Sequence, residues 1–285
     1  MKNILVQLDP DPHASVFDAV VAVDSGVDHL LSYGGVQADQ VRDLVHGAIF
    51  TRGPKDLKHT ALFIGGSNVS AGEALLEQVG KAFFGPMRVS VMLDANGCNT
   101  TAAAAVLMAG KHLTLSETKA LVLGGTGPVG QRVSLLLAGE GAEVRVGSRK
   151  EEKAAAVCEQ IHKILPQGRL LPVAAGADDE VAEAIQGVEL VVAAGAAGVQ
   201  LLKAAMWVNR DSLKVAIDLN AVPPEGIEGI QVMDKGTHKG SVQCYGAIGV
   251  GGTKMKIHKA AVASLFESND RVLDAEAIYE LGKQV

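Results

Sequence analysis

Residues 120–149 read ALVLGGTGPVGQRVSLLLAGEGAEVRVGSR, and few folds accommodate that order of parts. A short apolar strand meets the turn Gly125-Thr126-Gly127-Pro128-Val129-Gly130, an amphipathic helix follows, and a second strand comes after it. Each glycine is expected to have its own task. Gly125 allows the tight turn, Gly127 lets backbone approach a pyrophosphate, and Gly130 lets helix and strand pack closely. The helix start then offers unpaired N–H groups and a partial positive charge to phosphates. A bare G-x-G-x-x-G can be a structural loop. Strand before, helix after and second strand at the expected spacing make dinucleotide binding the better reading.

The end of the second strand selects the dinucleotide. An NAD site ends that strand in Asp or Glu, about 20 residues beyond the first glycine, to accept from the ribose 2′-hydroxyl. Here Ser148, Arg149 and Lys150 stand in that place, and Glu143 is too early, at the strand's start. A carboxylate would repel a 2′-phosphate, whereas a hydroxyl and a guanidinium can hydrogen-bond it with charge assistance. A basic helix start countered by Glu151 and Glu152 is the plainer alternative, but cations at a helix N-terminus oppose the helix dipole. The cofactor expected is NADP. Two later stretches complete such a site. VVAAGAAG (191–198) is a buried strand breaking into a glycine-rich turn that brings Ala194 and Gly195 toward the cofactor. KVAIDLNAVPP (214–224) ends a strand with Asp218 and Asn220. Asn220 stands either near the nicotinamide or in ordinary turn chemistry.

Apolar runs alternate with helical patterns along the whole chain, as in βαβ units of a mostly parallel sheet, so the fold class is α/β. Strands are expected at Ile4–Leu8, His29–Leu31, Ala61–Ile64 and Val89–Leu93, with helices at Val16–Val23, Ala38–Val45, Ala71–Ala82 and about Thr100–Ala109. A second series begins at Lys119 and runs through strands Ala120–Leu123, Glu143–Val146, Leu170–Val173, Glu189–Ala193 and Lys214–Asp218. Its helices are Pro128–Gly139, Lys150–Ile164 and Asp178–Ile185, and Ile257–Phe266 and Ala275–Lys283 close the chain. The polar run HLTLSETK (112–119) is the expected joint. It separates a first α/β domain, 1–112 with the helices of 254–285, from a Rossmann-type domain, 113–253.

Composition excludes several classes. With 48% hydrophobic and 20% charged residues the chain builds an ordinary core. A net charge of −6 gives no overall positive field for nucleic acid. The three cysteines lack a C-x-x-C pair and read as reduced thiols. The eight histidines show no H-E-x-x-H, so no metal site is expected. The start MKNILVQLDPDPH turns acidic too soon for a signal peptide, and no apolar run reaches the roughly 18 residues of a membrane span. A cytoplasmic protein is expected, with no membrane partner, as a homo-oligomer.

Several further stretches carry a resemblance. SVFDAVVAVDSGVDH (15–29), TRG (51–53), FFGPMRVSVMLDANGCNTTAAA (83–104), GTGPVG (125–130), AGEGAEV (138–144) and GAIGVGGTKMKIHKA (246–260) are jointly similar to the bacterial NADP-dependent methylene-tetrahydromethanopterin dehydrogenases. The likeness covers nearly the whole chain. It implies a pterin-binding domain and an NADP domain facing each other over a cleft. It also implies oxidation of the methylene bridge between N5 and N10 of a reduced pterin to methenyl, with hydride passing directly to NADP.

That chemistry fits what the sequence lacks. The cation formed is delocalised over two nitrogens, so hydride loss needs no general base, only alignment of two rings and exclusion of water. No triad and no obvious acid–base pair can be read in the sequence. The related folate dehydrogenase–cyclohydrolases use Tyr-x-x-x-Lys for hydrolysis; here Tyr33 is followed four residues on by Gln37, and Tyr245 by Gly249, so no cyclohydrolase activity is expected.

For the pterin, Phe17 either stacks on a ring or is ordinary core, and Asp18 lies beside it. DANGCNTT (94–101) offers Asp94, Asn99, Thr100 and Thr101, with Asn99 and Thr100 placed to cap a helix. The glycine-rich run 246–252 reads as a flexible loop before a basic helix bearing Lys254 and Lys256. The resemblance places Lys254 beside pterin and nicotinamide, where it orients a pterin oxygen or nitrogen. Two rival readings are the same reaction on tetrahydrofolate and a non-catalytic NADP-sensing module.

Overall fold

The computed structural model describes residues 1–285. The chain divides into two compact units, Met1–Thr100 with Met255–Val285, and Thr101–Lys254. The passage from one to the other falls inside a helix each time, at residues 100–101 and 254–255.

In the first unit the elements are β1 (Ile4–Leu8), α1 (Val16–Asp24), β2 (His29–Tyr33), α2 (Val41–Ile49), β3 (Thr60–Ile64), α3 (Val69–Ala82) and β4 (Ser90–Leu93). α4 (Cys98–Gly110) follows, and β12 (Val272–Leu273) and α9 (Ala275–Gly282) return near the chain end. The sheet order is β12-β4-β3-β1-β2, parallel throughout. β3 and β4 are buried along their whole length, which explains why TALFI and SVML lack an apolar–polar alternation. Ser15 caps α1 by accepting from the Asp18 N–H (3.2 Å), and Asn68 caps α3 by accepting from the Ala71 N–H (3.0 Å). From β1 the chain moves to β2 on one side and then crosses to β3 on the other, so the β1/β3 junction is a topological switch point.

The second unit continues with β5 (Lys119–Leu123), α5 (Pro128–Gly139), β6 (Glu143–Ser148), α6 (Glu151–Ile164), β7 (Arg169–Ala174) and α7 (Asp178–Ala184). Then come β8 (Leu190–Ala193), β9 (Val215–Asp218), β10 (Lys235–Lys239), β11 (Val242–Tyr245) and the start of α8 (Ala247–Ser264). The order β10-β11-β9-β8-β5-β6-β7 is parallel except for the β10–β11 pair and places its switch point between β5 and β8. Leu121, Leu123, Val191, Ala216 and Trp207 meet in its core, and the Trp207 indole N–H is satisfied by the Glu228 carbonyl (3.1 Å). No helix of either unit is long and apolar enough to cross a membrane.

Three expectations are corrected. The second helix starts at Val41, not Ala38, because residues 38–40 form turns. The hairpin β10–β11 and the short β12 had no apolar periodicity to announce them; KGTHK of β10 is a polar edge strand. The glycine-rich run 246–252 is not a loop: α8 begins at Ala247 and carries Gly249, Gly251 and Gly252 inside it. A Cβ on Gly249 would overlap the Asp234 carbonyl oxygen, and one on Gly246 the Gln231 carbonyl, so the first turn needs glycine for close approach, not for flexibility.

Candidate functional site

The glycine turn lies at the carboxyl edge of the second unit's sheet, at its switch point. The residue with the left-handed backbone is Gly124 (φ +69°), not Gly125, so the tight turn is shifted by one position. A Cβ on Gly124 would stand 2.7 Å from the Gly195 Cα and one on Gly125 2.7 Å from the Val146 side chain; one on Gly130 would overlap the Gly124 carbonyl. Gly125, Gly130 and Gly195 are thereby brought into one tight junction of β5, α5, β6 and β8. Gly127 is the N-cap of α5 and Pro128 its first residue, where a missing N–H costs nothing. Thr126, Val129 and Ala194 complete the turn's lining, the Thr126 carbonyl accepting from Gln131 Nε2 (2.8 Å). The α5 N-terminus is thus open to a phosphate.

β6 reaches the same edge, since the Gly125 N–H donates to the Gly147 carbonyl (2.9 Å). Ser148 follows; it is buried, and its hydroxyl accepts weakly from the Lys150 N–H (3.4 Å). Arg149 and Lys150 are exposed, and Lys150 is the N-cap of α6 without a side-chain cap. Ser148 ends β6, and Arg149 and Lys150 follow it at the start of α6, with no carboxylate ending the strand. The chemistry of these residues and the space left at the glycine turn fit a dinucleotide. A groove of about 590 Å³ beside β7 and α7 fits a phosphate less well. Glu151, Glu180 and Glu183 line it, and its Arg145 is engaged by the carbonyls of Ala184 and Gln186.

Asn220 works inside its own loop. Its Oδ1 accepts from the N–H groups of Gly198 (3.3 Å) and Val222 (3.1 Å), and its Nδ2 donates to the Pro224 carbonyl (2.9 Å). Asp218 anchors the same loop by accepting from the N–H groups of Asn220 and Ile227. Burial pushes the Asp218 carboxyl up, against the pull of those N–H donors.

The first unit gathers a second group at its own switch point. Asp9 extends β1, Gly65 and Gly66 extend β3, and Asp94 extends β4. Asp94 is the cap of α4: its Oδ1 accepts from the N–H groups of Asn99 (2.9 Å) and Thr100 (3.0 Å), and its Oδ2 from the Thr100 hydroxyl (2.6 Å). Asn99 and Thr100 are therefore donors to the cap rather than caps themselves, correcting the expectation. Asp94, Asn99 and Thr100 are all buried, and Asn99 Nδ2 donates to the Leu93 carbonyl (2.6 Å). Thr101 is half-buried in the first turn of α4.

His258 of α8 joins this group, and the sequence did not point to it. It is 1% exposed, its Nδ1 is 3.8 Å from Asp94 Oδ2, and it stacks on Phe63 (centroids 5.6 Å, planes 17° apart). Residues 94 and 258 are neighbours only through the fold, so no spacing in the sequence announces their approach. Phe17 lies 6.3 Å from His258, centroid to centroid, and is 53% exposed, so it is not core. Asp18 is half-buried beside them; a Cβ on Gly65 would come within 3.0 Å of its carboxylate. Burial pushes the Asp18 carboxyl up, and the His258 charge and the Ser15 hydroxyl pull it back. On α8, Lys254 is half-buried one turn before His258, on the same helix face, whereas Lys256 is exposed.

Two α/β units, one with a glycine turn at the switch point of a sheet whose seven strands run 3-2-1-4-5-7-6 in chain order from β5, define the class of dinucleotide-binding dehydrogenases. Solved structures agree on the fold. Shikimate 5-dehydrogenase of Listeria monocytogenes, in complex with shikimate and NAD, has a TM-score of 0.57 at 15% identity over 98% of this chain and 96% of that one. Quinate dehydrogenase of Corynebacterium glutamicum, in complex with NAD, has a TM-score of 0.52 at 13% identity over 100% and 99%.

Sequence relatives narrow the class. Residues 16–96 match the family described as methylene-tetrahydromethanopterin dehydrogenase, N-terminal. Over 100% of this chain and 99% of the relative, identity is 31% to the NAD(P)-dependent methylenetetrahydromethanopterin dehydrogenase of Methylorubrum extorquens. At the same coverage it is 48% to a protein of that organism called bifunctional protein MdtA. The chain belongs to the methylenetetrahydromethanopterin dehydrogenase family.

Proposed function

We propose that the protein oxidises N5,N10-methylene-tetrahydromethanopterin to the methenyl form in one-carbon metabolism, with NADP as hydride acceptor. The observation that carries the reading is full-length kinship with a dehydrogenase of that pterin, combined with Ser148-Arg149-Lys150 at the end of β6.

The residues of the second unit bind and orient the cofactor. The α5 N-terminus and the turn 124–127 take the pyrophosphate, Ser148, Arg149 and Lys150 take the 2′-phosphate, and Ala194 and Gly195 line its path. Asn220 shapes the turn at 196–198 from behind. When bound, NADP supplies the acceptor for a hydride. For the pterin, Phe17 offers an exposed ring face and Asp18 a carboxylate. Asp94, Asn99, Thr100 and Thr101 brace the ground beneath them, and Lys254 orients a polar pterin atom, with exposed Lys256 the lesser candidate. Loss of hydride leaves a cation shared by two nitrogens, so alignment and exclusion of water suffice and no proton need move. We also infer that cyclohydrolase activity is absent: neither Tyr33 nor Tyr245 has a lysine four residues on, and in the one Tyr-x-x-x-Lys of the chain, Tyr279 to Lys283, the tyrosine is buried and the lysine is paired with Glu280 (2.7 Å).

The test is absorbance of NADPH with methylene-tetrahydromethanopterin and with methylene-tetrahydrofolate, using substrate deuterated at the bridging carbon. Label is expected in NADPH and none in water, and the methenyl product should persist. Turnover on the folate alone would change the substrate. NADP binding with no turnover on either would leave a sensor and reject the enzyme reading, and label in water would reject direct transfer.

A further inference from the structure

The cluster of Asp18, His258 and Asp94 has a chemistry that hydride transfer itself does not use. The 2-amino-4-oxo edge of a reduced pterin presents two adjacent donors, N3–H and the 2-amino group. Two adjacent donors are matched by one ionised carboxylate, which accepts at both oxygens; a protonated carboxyl loses one acceptor and adds a donor. Asp94 is unsuited to that task, because it is buried and already accepts three hydrogen bonds from Asn99 and Thr100. Asp9 is likewise buried and accepts from the N–H groups of Asp11 and Ser15 (both 2.9 Å). Asp18 is the half-buried member, adjacent in sequence to the exposed ring of Phe17.

We infer that the Asp18 carboxylate receives the 2-amino-4-oxo edge of the pterin and that His258, held by Asp94 and Phe63, is the positioning residue behind it. The inference rests on the pterin reading given above. His258 has little freedom: Phe63 stacks on one side, Phe17 is tilted against it, and Asp94 Oδ2 stands 3.8 Å from Nδ1. The groups that face Asp18 are His258 from α8, Asp94 from the end of β4, Asp9 from the end of β1, and the Ser15 hydroxyl of its own helix cap. Two carboxylates and burial disfavour a charge on Asp18, and a proton on His258 would favour it. Lys259, on the same helix, is taken up by Asp24 (2.8 Å). Gly65 fits the arrangement, because a side chain there would press on the Asp18 carboxylate.

The experiment measures KM for the methylene pterin, KM for NADP and kcat against pH in the wild type, Asp18→Asn and His258→Gln, with circular dichroism melting as a fold check. In the wild type the pterin KM should rise as pH falls and Asp18 takes up a proton. Asp18→Asn should raise it roughly tenfold to a hundredfold, as for loss of a charged hydrogen-bonded pair, and make it flat with pH. The NADP KM should not change, and kcat should fall less than the pterin KM rises. In His258→Gln the rise at low pH should begin at a higher pH, since the cation favouring ionised Asp18 is gone. Asp18→Glu should recover part of the affinity. Should His258→Gln fail to fold, carbon-detected NMR titration of the wild type decides the same point: the Asp18 carboxyl and the His258 ring must titrate as a linked pair. Wild-type turnover with an unchanged pterin KM in Asp18→Asn overturns the inference alone. Independent titration of the two groups, or a His258→Gln profile identical to the wild type, overturns the role of His258. Absence of pterin turnover in the wild type overturns both this inference and the reading beneath it.

Discussion

Arg149 is where the choice of cofactor becomes measurable in one side chain. It is exposed at the turn after β6, and Gly176 packs against its backbone, with a Cβ there 3.1 Å from the Arg149 Cα. The backbone position is therefore set by β6, β7 and that glycine, while the guanidinium itself is not needed to hold the fold. Replacing Arg149 with Ala should leave thermal stability unchanged and raise the NADP KM. The rise should correspond to about 1.5–3 kcal/mol, as for loss of a charged hydrogen bond. Activity with NAD, which has no 2′-phosphate, should stay the same or improve. Equal losses with both cofactors in steady-state assays would make Arg149 structural. The neighbouring Ser148 differs in kind: it is buried and its hydroxyl already contacts the Lys150 N–H, so its part in binding depends on the strand end being intact.

At the scale of elements, α8 is the case in which composition misleads. Gly249 and Gly252 lie in one helix yet have opposite surroundings: a side chain on Gly249 would strike the Asp234 carbonyl, while Gly252 has open space around it. Gly249→Ala should destabilise the protein by about 1–3 kcal/mol or more, as overpacking against backbone does. Gly252→Ala should stabilise it by about 0.5–1 kcal/mol, because a glycine inside a helix costs that much relative to alanine. Thermal melts of the two variants give the signs, and two changes of the same sign would refute the packing account. A stabilised Gly252→Ala with lowered turnover would further show that a ligand approaches that backbone. The same helix shows what could be read from the sequence. The β5–α5–β6 run was legible because its strand, turn, helix and basic strand end are contiguous, and each part has a local signature. The start of α8 was not, because glycine is read as flexibility until the neighbour that demands it, the 231–234 backbone, is known. The Asp94–His258 pair was hidden for a related reason: only α8 returning to the first unit's sheet joins residues so far apart in the chain. β10 was missed because a short polar edge strand buries no apolar face and so leaves no periodicity.

For the whole molecule, the proposed function divides labour between the two units. The residues proposed for NADP lie in Thr101–Lys254, and those proposed for the pterin, Phe17, Asp18, Asp94 and His258, lie in the unit formed by Met1–Thr100 and Met255–Val285, with Lys254, the last residue of the other unit, proposed for the pterin as well. Substitutions should accordingly separate in kinetics, with one set moving the NADP KM and the other the pterin KM. Lys254, half-buried on α8 and on the same helix face as His258, is the informative test because it is assigned to alignment rather than to proton transfer. A cation cannot stabilise a cationic methenyl product, so the contribution proposed for Lys254 is to orient a polar atom of the pterin. Lys254→Ala should lower kcat while leaving NADP affinity, measured by fluorescence titration, nearly intact. Lys254→Arg should restore part of the rate, since the charge and the donors remain. The turnover of the wild type and of Lys254→Ala should both be nearly flat across neutral pH, because hydride transfer moves no proton. Should the wild type instead follow a steep bell while showing a full isotope effect from the labelled methylene carbon, a proton would be moving in the chemical step. Lys254 would then be acting as an acid or base, and the mechanism without a general base would have to be abandoned.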